Sequence, residues 1–235
     1  MSIKMILFDL DGTLLPMDQD KFVEVYFGLL AKKLAPHGYE PKELIRGIGA
    51  GIHAMVQNNG EKTNEAAFWD TFAGIFGEKA REDLPVFDAF YREDFVGAKA
   101  VCGYAPAAAE TIAAVRQKGL RVALATNPLF PAVATHQRIC WAGLKPEDFE
   151  LVTTYENSRT CKPNPNYYLE VTARLGVCPE ECLMVGNDVG EDMIARTLGM
   201  QVFLLTDCLI NRQNEDIGQF PNGGFAELLQ YIERM

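Results

Sequence analysis

Ile6-Leu7-Phe8-Asp9-Leu10-Asp11-Gly12-Thr13 runs an apolar stretch straight into two carboxylates. A run of that composition predicts a strand buried on both faces. The acids at its end then fall at the mouth of a sheet, where open α/β folds bind ligands. Asp9 and Asp11 are two residues apart, so an extended backbone points them to the same side, and Gly12 lets the chain turn sharply after them. Two such acids can divide labour between nucleophile and proton carrier, or hold a hard cation through oxygen. A polar turn closing a core strand is the plain alternative, and the other segments decide against it.

Further apolar runs at Leu120 to Ala125, Leu151 to Thr154, Cys182 to Val185 and Gln201 to Leu205 predict strands, each preceded by a helical pattern. Pro106 to Lys118 starts on Pro and is stopped by Gly119; Phe130 to Ala142, Asn166 to Leu175 and Glu191 to Leu198 have the same character. Alternation of this kind predicts a doubly wound parallel sheet with right-handed crossovers. Between Met17 and about Lys99 the pattern changes. Phe22, Tyr26, Leu29 and Leu30 recur at helical spacing, as do Phe68, Phe72, Ile75 and Phe76, then Phe87, Phe90 and Tyr91, with no convincing strand. About four helices are therefore expected as an insert, with Phe68, Trp69, Phe72 and Phe76 in its core. The Asn-, Gln- and Gly-rich stretch from Cys208 to Gly224 reads as a surface loop without chemistry, followed by a helix over Phe225 to Arg234.

At 235 residues the chain is long enough for one large domain or a core with a smaller insert, and 48% hydrophobic content is ample for a core. The net charge of -10, with no Lys/Arg cluster, argues against nucleic acid and against an acidic membrane surface as partners. No stretch has the length of a membrane span, and Met1-Ser2-Ile3-Lys4 enters the first strand without a signal region. The six cysteines include one close pair, Cys178 and Cys182, with no second pair to complete a zinc site, so reduced thiols in a cytoplasm are expected. Cys161 reads as a small apolar filler.

Four segments at or just beyond predicted strand ends carry polar groups. The first is Asp9/Asp11. The second is Ala123-Leu124-Ala125-Thr126-Asn127, whose hydroxyl and amide can each donate to an oxyanion. The third, Arg159-Thr160-Cys161-Lys162-Pro163-Asn164-Pro165, holds a cation in a loop stiffened by prolines. The fourth, Val185-Gly186-Asn187-Asp188-Val189-Gly190-Glu191-Asp192, ends a buried strand in a Gly turn followed by acids. Asp188 and Asp192 there have the spacing of a metal ligand and its supporting partner, or of an ordinary helix cap.

These four in this order, Asp-x-Asp-Gly-Thr, strand-Thr, Lys-Pro and Gly-Asn-Asp-x-x-x-Asp, resemble the haloacid dehalogenase superfamily over residues 2–16 and about 101–205. A helical insert straight after the first motif is similar to the subfamily with the type I cap. The resemblance implies an α/β, Rossmann-like catalytic core at 1–16 and 100–235 and a cap domain at 17–99. It also implies a Mg²⁺-dependent phosphatase acting on a small phosphorylated metabolite. Asp9 would be the nucleophile. Asp11 would be the general acid/base, its backbone carbonyl also reaching Mg²⁺. Thr126 would hydrogen-bond a phosphoryl oxygen, and Lys162 would neutralise charge on Asp9 and the phosphate. Asp188 would be the acidic metal ligand, supported by Asp192. One departure stands out, since the commonest form of the last motif places Asp straight after Gly. Register from Gly186 puts Asn187 at the ligand position; register from Asp192 puts Asp188 there, which is favoured because a carboxylate binds Mg²⁺ better than an amide.

The physical logic agrees. A phosphate monoester dianion repels a carboxylate nucleophile, so a cation and a lysine are needed to hold the two anions together. One acid two residues away can protonate the leaving alkoxide and then deprotonate water. Substrate choice is expected from the insert. There Arg46-Gly47-Ile48-Gly49-Ala50-Gly51-Ile52-His53 reads as a specificity loop, with Arg46 for an anionic group and His53 for a polar one. A phosphomutase using the same phosphoenzyme, and a non-catalytic regulatory relative, are the alternatives. The second predicts loss of one of Asp9, Asp11, Lys162 or Asp188, and none is lost. A dehalogenase or phosphonate hydrolase is disfavoured because those branches lack the acid found here at Asp11. Oligomeric state does not follow from the sequence.

Overall fold

The computed structural model describes residues 2–235. Its centre is a five-stranded parallel sheet in the order β2-β1-β3-β4-β5. The strands are β1 (Met5–Phe8), β2 (Arg121–Leu124), β3 (Cys182–Gly186), β4 (Gln201–Leu205) and β5 (Asn222–Gly223). β1 is buried at all four positions because it lies between two other strands, with Met5 opposite both Arg121 and Cys182. The side chains alternate between faces. Ile6 and Phe8 join Val122, Leu124, Leu183, Val185 and Phe203 in one core. Met5 and Leu7 join Ala123, Met184, Val202 and Leu204 in the other, covered by Tyr167, Tyr168 and Val171.

Two strand expectations change. Leu151 to Thr154 makes a single parallel bridge, Leu124 to Val152, at the sheet's edge. Main-chain bonds join it to β2 and the residue after it over Glu150 to Thr153 (Glu150 N to Val122 O, Leu124 N to Leu151 O, Thr153 N to Leu124 O). Beyond them the Thr153 hydroxyl donates to the main-chain oxygen of Thr126 at 2.7 Å, where a ladder would continue. β5 was not expected, since two residues of Asn-Gly carry no hydrophobic period; it pairs with Leu204 and Leu205.

Between Gln19 and Val101 the regular elements are all helical: α1 (Gln19–Leu34), α2 (Pro41–Val56), α3 (Asn64–Phe76), α4 (Lys79–Glu82) and α5 (Leu84–Ala89). A π turn at Phe90–Asp94 and a 3-10 segment at Phe95–Val101 follow. Asp18 caps α1 by accepting from the Lys21 amide, and Thr63 caps α3 by accepting from that of Ala66. The predicted aromatic core is present, with Phe68, Trp69, Phe72 and Phe87 packed edge-on and stacked at centroid distances of 5.1 to 5.6 Å. Phe95 stacks on Trp141 at 5.3 Å and Tyr26 meets Phe130 at the same distance, joining insert to core. Asn64, fully buried at the start of α3, donates its side-chain amide to the Thr160 carbonyl at 3.2 Å, tying the insert to the loop that carries Lys162.

The segment expected to be a specificity loop, Arg46 to His53, is instead the middle of α2. Two of its three glycines, Gly47 and Gly51, are there for packing, while Gly49 is exposed with open space where a Cβ would stand. A Cβ on Gly47 would lie 2.4 Å from Cε2 of Phe76, and one on Gly51 would lie 2.5 Å from Cδ2 of Phe68. Close helix contact, and no need to bend, explains that spacing. Gly51→Val is therefore expected to destabilise the protein by about 1–3 kcal/mol through overpacking, read from the midpoint of urea unfolding. An unchanged midpoint would contradict this packing.

The rest follows the α/β alternation with α6 (Pro106–Gln117), α7 (Ala132–Trp141), α8 (Pro165–Leu175) and α9 (Phe225–Glu233). The helix expected over Glu191 to Leu198 is a 3-10 segment, Met193–Leu198. Among the described residues no helix is long and apolar enough to cross a membrane.

Candidate active site

Asp9 follows the last residue of β1, its amide donating to the Val185 carbonyl at 2.9 Å, so the sheet itself sets the start of the site. Gly12 turns the chain at φ 82°, in the left-handed region, and a Cβ there would lie 2.3 Å from Nδ2 of Asn187. Thr13 comes next, its hydroxyl within reach of Asp9 Oδ2 (3.1 Å) and Asn187 Oδ1 (2.9 Å). The turn after β1 is thus closed against the turn after β3.

Lys162 has no exposed side-chain surface. Its Nζ donates to Asp9 Oδ1 at 2.9 Å and to Asp192 Oδ1 at 2.6 Å. Burial opposes its charge, but the carboxylates of Asp192 and Asp9 prevail and hold the ammonium well above the ordinary lysine value. Asp192 uses its other oxygen to accept the amide of Asp188 at 3.0 Å. Both oxygens of Asp192 are engaged by the protein, which makes it a brace for Lys162 and Asp188. Gly186 permits this, since a Cβ there would lie 2.1 Å from Asp192 Oδ2.

Asp188 accepts the amides of Gly190 (2.8 Å) and Glu191 (3.0 Å) on Oδ1, while Oδ2 lies 3.3 Å from Nη1 of Arg212. Asn187 is used at both ends: Nδ2 donates to the Cys208 carbonyl at 2.7 Å, and Oδ1 faces Thr13. Thr126 is buried, its main-chain oxygen accepting from the hydroxyls of Thr153 and Tyr167. Asn127 donates to Glu191 Oε2 at 3.0 Å and leaves its own Oδ1 buried without a partner.

Asp9, Asp11, Thr126, Asn127, Asp188 and Asp192 line one cavity of about 40 Å³, completed by residues including Gln19 of α1 and Glu191. A larger cavity of about 510 Å³ beside Trp69, Tyr91 and Tyr155 contains none of these groups. Asp11 is held by an ion pair from Arg138 to Oδ2, and its Oδ1 is buried and unpartnered. Burial pushes the Asp11 carboxyl up from its ordinary value, with Arg138 opposing. Burial likewise raises Glu191 to about 7, Lys162 opposing and Asp192, Asp188 and Asp9 adding to it.

Oxygen-only donors and an excess of carboxylates suit a hard cation. Among the described residues no three His, Cys, Asp or Glu side chains form a ready-made metal cage. Mg²⁺ is commonly held by one or two carboxylates with substrate oxygens and water, and Asp9 and Asp188 are carboxylates on this cavity.

A family model for haloacid dehalogenase-like hydrolases matches residues 3–196. The chain belongs to that family. It is 26% identical over 185 residues to a phosphoglycolate phosphatase of Aquifex aeolicus, covering 79% of this chain and 76% of that one. It is 25% identical over 194 residues to the pyrophosphatase PpaX of Bacillus velezensis, covering 83% and 79%. In structure it resembles a HAD phosphatase from Thermococcus onnurineus, with TM-score 0.62, 22% identity and 98% of each chain covered.

Within this haloacid dehalogenase-like hydrolase the residues singled out from the core motifs converge: Asp9, Asp11, Thr126, Asn127, Asp188 and Asp192 on the cavity, and Lys162 on Asp9. The two from the insert do not. Arg46 is exposed on α2 and pairs with Glu43, His53 is exposed on the same helix, and neither lines the cavity. Arg138, Glu191 and Arg212 were missed. Arg138 left a signal, a charge on the face of α7 that also buries Ala134, Thr135 and Ile139. Arg212 left none. It lies in the stretch from Cys208 to Gly224, to which no chemistry was assigned, and reaches both Asp188 and Gln19 of α1, each at 3.3 Å.

Proposed function

We propose that this hydrolase is a Mg²⁺-dependent phosphatase for a small phosphorylated metabolite, working through an aspartyl phosphate on Asp9. The observation that carries this reading is the buried Lys162 bonded to Asp9 Oδ1, with Asp11 on the same 40 Å³ cavity. The names of the two curated relatives, a phosphoglycolate phosphatase and a pyrophosphatase, support the substrate class.

Asp9 Oδ2, the oxygen Lys162 does not hold, attacks phosphorus. A bond forms between that oxygen and phosphorus, and the ester bond to the leaving oxygen breaks. Asp11 gives its proton to the departing alkoxide. Asp11, now a carboxylate, takes a proton from water as that water attacks the aspartyl phosphate, releasing inorganic phosphate and restoring both acids. Lys162 offsets the charge that Asp9 and the phosphoryl group bring together, and the Thr126 hydroxyl and Asn127 amide donate to phosphoryl oxygens. Asp9, Asp188 and the Asp11 backbone carbonyl would hold Mg²⁺, with Asp192 bracing Asp188, and the bound ion would supply charge neutralisation and orientation of the phosphate. Residues 17–99 act as a cap over this core and shape the pocket for the leaving group. They do so through groups other than Arg46 and His53, and Gln19 is the insert residue already on the cavity.

The test is phosphate release from sugar phosphates, nucleotides, phosphorylated acids and pyrophosphate, with Mg²⁺ and with EDTA. Release that requires Mg²⁺ is expected. Asp188→Asn is expected to raise the Mg²⁺ concentration for half-maximal rate by roughly tenfold or more, and Asn187→Ala by less. The reverse ranking would move the ligand to Asn187, and full activity in EDTA would overturn the metal dependence.

A further inference from the structure

Arg138 sits on α7 with 1% of its surface exposed. Its guanidinium pairs through Nη1 with Asp11 Oδ2, and Nη2 lies 3.3 Å from the Thr135 hydroxyl. Nε reaches the Ala134 carbonyl at 3.4 Å, and the group lies over the Phe130 ring at 4.4 Å from its centroid. Among the described residues it is the one cation paired with Asp11, for Lys162 is taken up by Asp9 and Asp192. Arg138 is not itself among the residues lining the cavity.

We propose that Arg138 is a positioning residue: it anchors Oδ2 of Asp11 so that Oδ1 is the oxygen that exchanges the proton with the leaving group and with water. Three observations combine. The side chain that must transfer a proton has one oxygen tied down and the other buried with no partner. The tie is a planar, permanently charged fork, held on its far side by a hydroxyl, a carbonyl and an aromatic face, so it keeps one orientation. And a buried ion pair is a poor way to gain stability, since well-packed apolar residues of the same volume commonly serve as well or better. Its use here is geometric. The Asp11 carboxylate, free to turn about Cα–Cβ and Cβ–Cγ, would otherwise rotate between proton-transfer and idle orientations. The angular tolerance of a positioned acid is narrow.

The inference rests on the phosphatase reading, and two substrates separate them. p-Nitrophenyl phosphate has a leaving group that departs without a proton, whereas an alkyl phosphate such as glycerol phosphate, or the best alkyl ester found by screening, needs one. In Arg138→Met, kcat/KM for the alkyl ester relative to the aryl ester is expected to fall roughly 10- to 100-fold, chiefly in kcat. Arg138→Lys should restore part of the ratio by returning the charge without the fork. The ratio is taken within one preparation, so it does not depend on the folded fraction. Should Arg138→Met fail to fold, Arg138→Lys carries the same comparison with a smaller fall. An equal loss of kcat/KM on both substrates in the folded variants would overturn the positioning role while leaving the phosphatase reading intact, because kcat/KM reports the step that expels the leaving group and not the later attack of water that both esters share. Failure of the wild type to release phosphate from any ester would overturn the phosphatase reading and, with it, this inference.

Discussion

Asp9→Asn is expected to abolish phosphate release, by at least about 10³-fold in kcat, because Asp11, Asp188 and Asp192 on the same cavity are engaged by Arg138, by the amides of Gly190 and Glu191, and by Lys162. The change is nearly isosteric. Lys162 keeps Asp192 at 2.6 Å and can still donate to an amide oxygen at position 9, so the fold should survive and the thermal midpoint should stay close to that of the wild type. A second readout addresses the covalent step itself. Wild-type protein turned over in the presence of hydroxylamine should carry a hydroxamate at position 9 by mass spectrometry, and the variant should not. Undiminished phosphate release by Asp9→Asn would refute the nucleophile assignment.

Lys162→Met should damage both stability and activity, for two reasons that separate experimentally. Removing the cation leaves the Asp9 and Asp192 carboxylates facing each other. Asp192 is 1% exposed, so an uncompensated buried charge should cost about 3–5 kcal/mol of unfolding free energy. Adding Asp192→Asn removes that charge and should return much of the stability, a coupling that a urea-denaturation double-mutant cycle measures directly. The activity should not return with it. Loss of the charge that offsets the phosphoryl group is expected to lower kcat by roughly 10²- to 10³-fold in the single and the double variant alike. Recovery of activity in the double variant would assign Lys162 a purely structural role.

These variants probe groups whose convergence was legible in different degrees. The strand-end acids were plain from the sequence because β1 is buried between two neighbours and so has no polar residue before Asp9. The site that follows is polar for a reason other than solvation. Lys162 and Asp192 were legible through the order and spacing of their segments, although neither looks unusual alone. The insert was legible as helices from its aromatic period, and its packing role was misassigned at one place: glycines at 47 and 51 resemble a loop in one dimension. Spaced four apart on a helix face they are a groove for Phe76 and Phe68.

The alternating strands and helices, the helical insert and the core groups of the site follow from local pattern, since periodicity and turn residues act over a few positions and survive in one dimension. The tertiary structure alone decided which of those groups meet and what holds them. Lys162 reaches back 153 residues to Asp9, Arg138 crosses 127 to Asp11, and Arg212, which also meets Asp188, reaches Gln19 across 193. Such pairings depend on the sheet order that sets β3 beside β1 and on which face of α7 turns inward. Both are settled by burying apolar surface across the whole molecule. The sequence names the chemistry through residues next to one another; the pairing of charges that orients it is a property of the folded core.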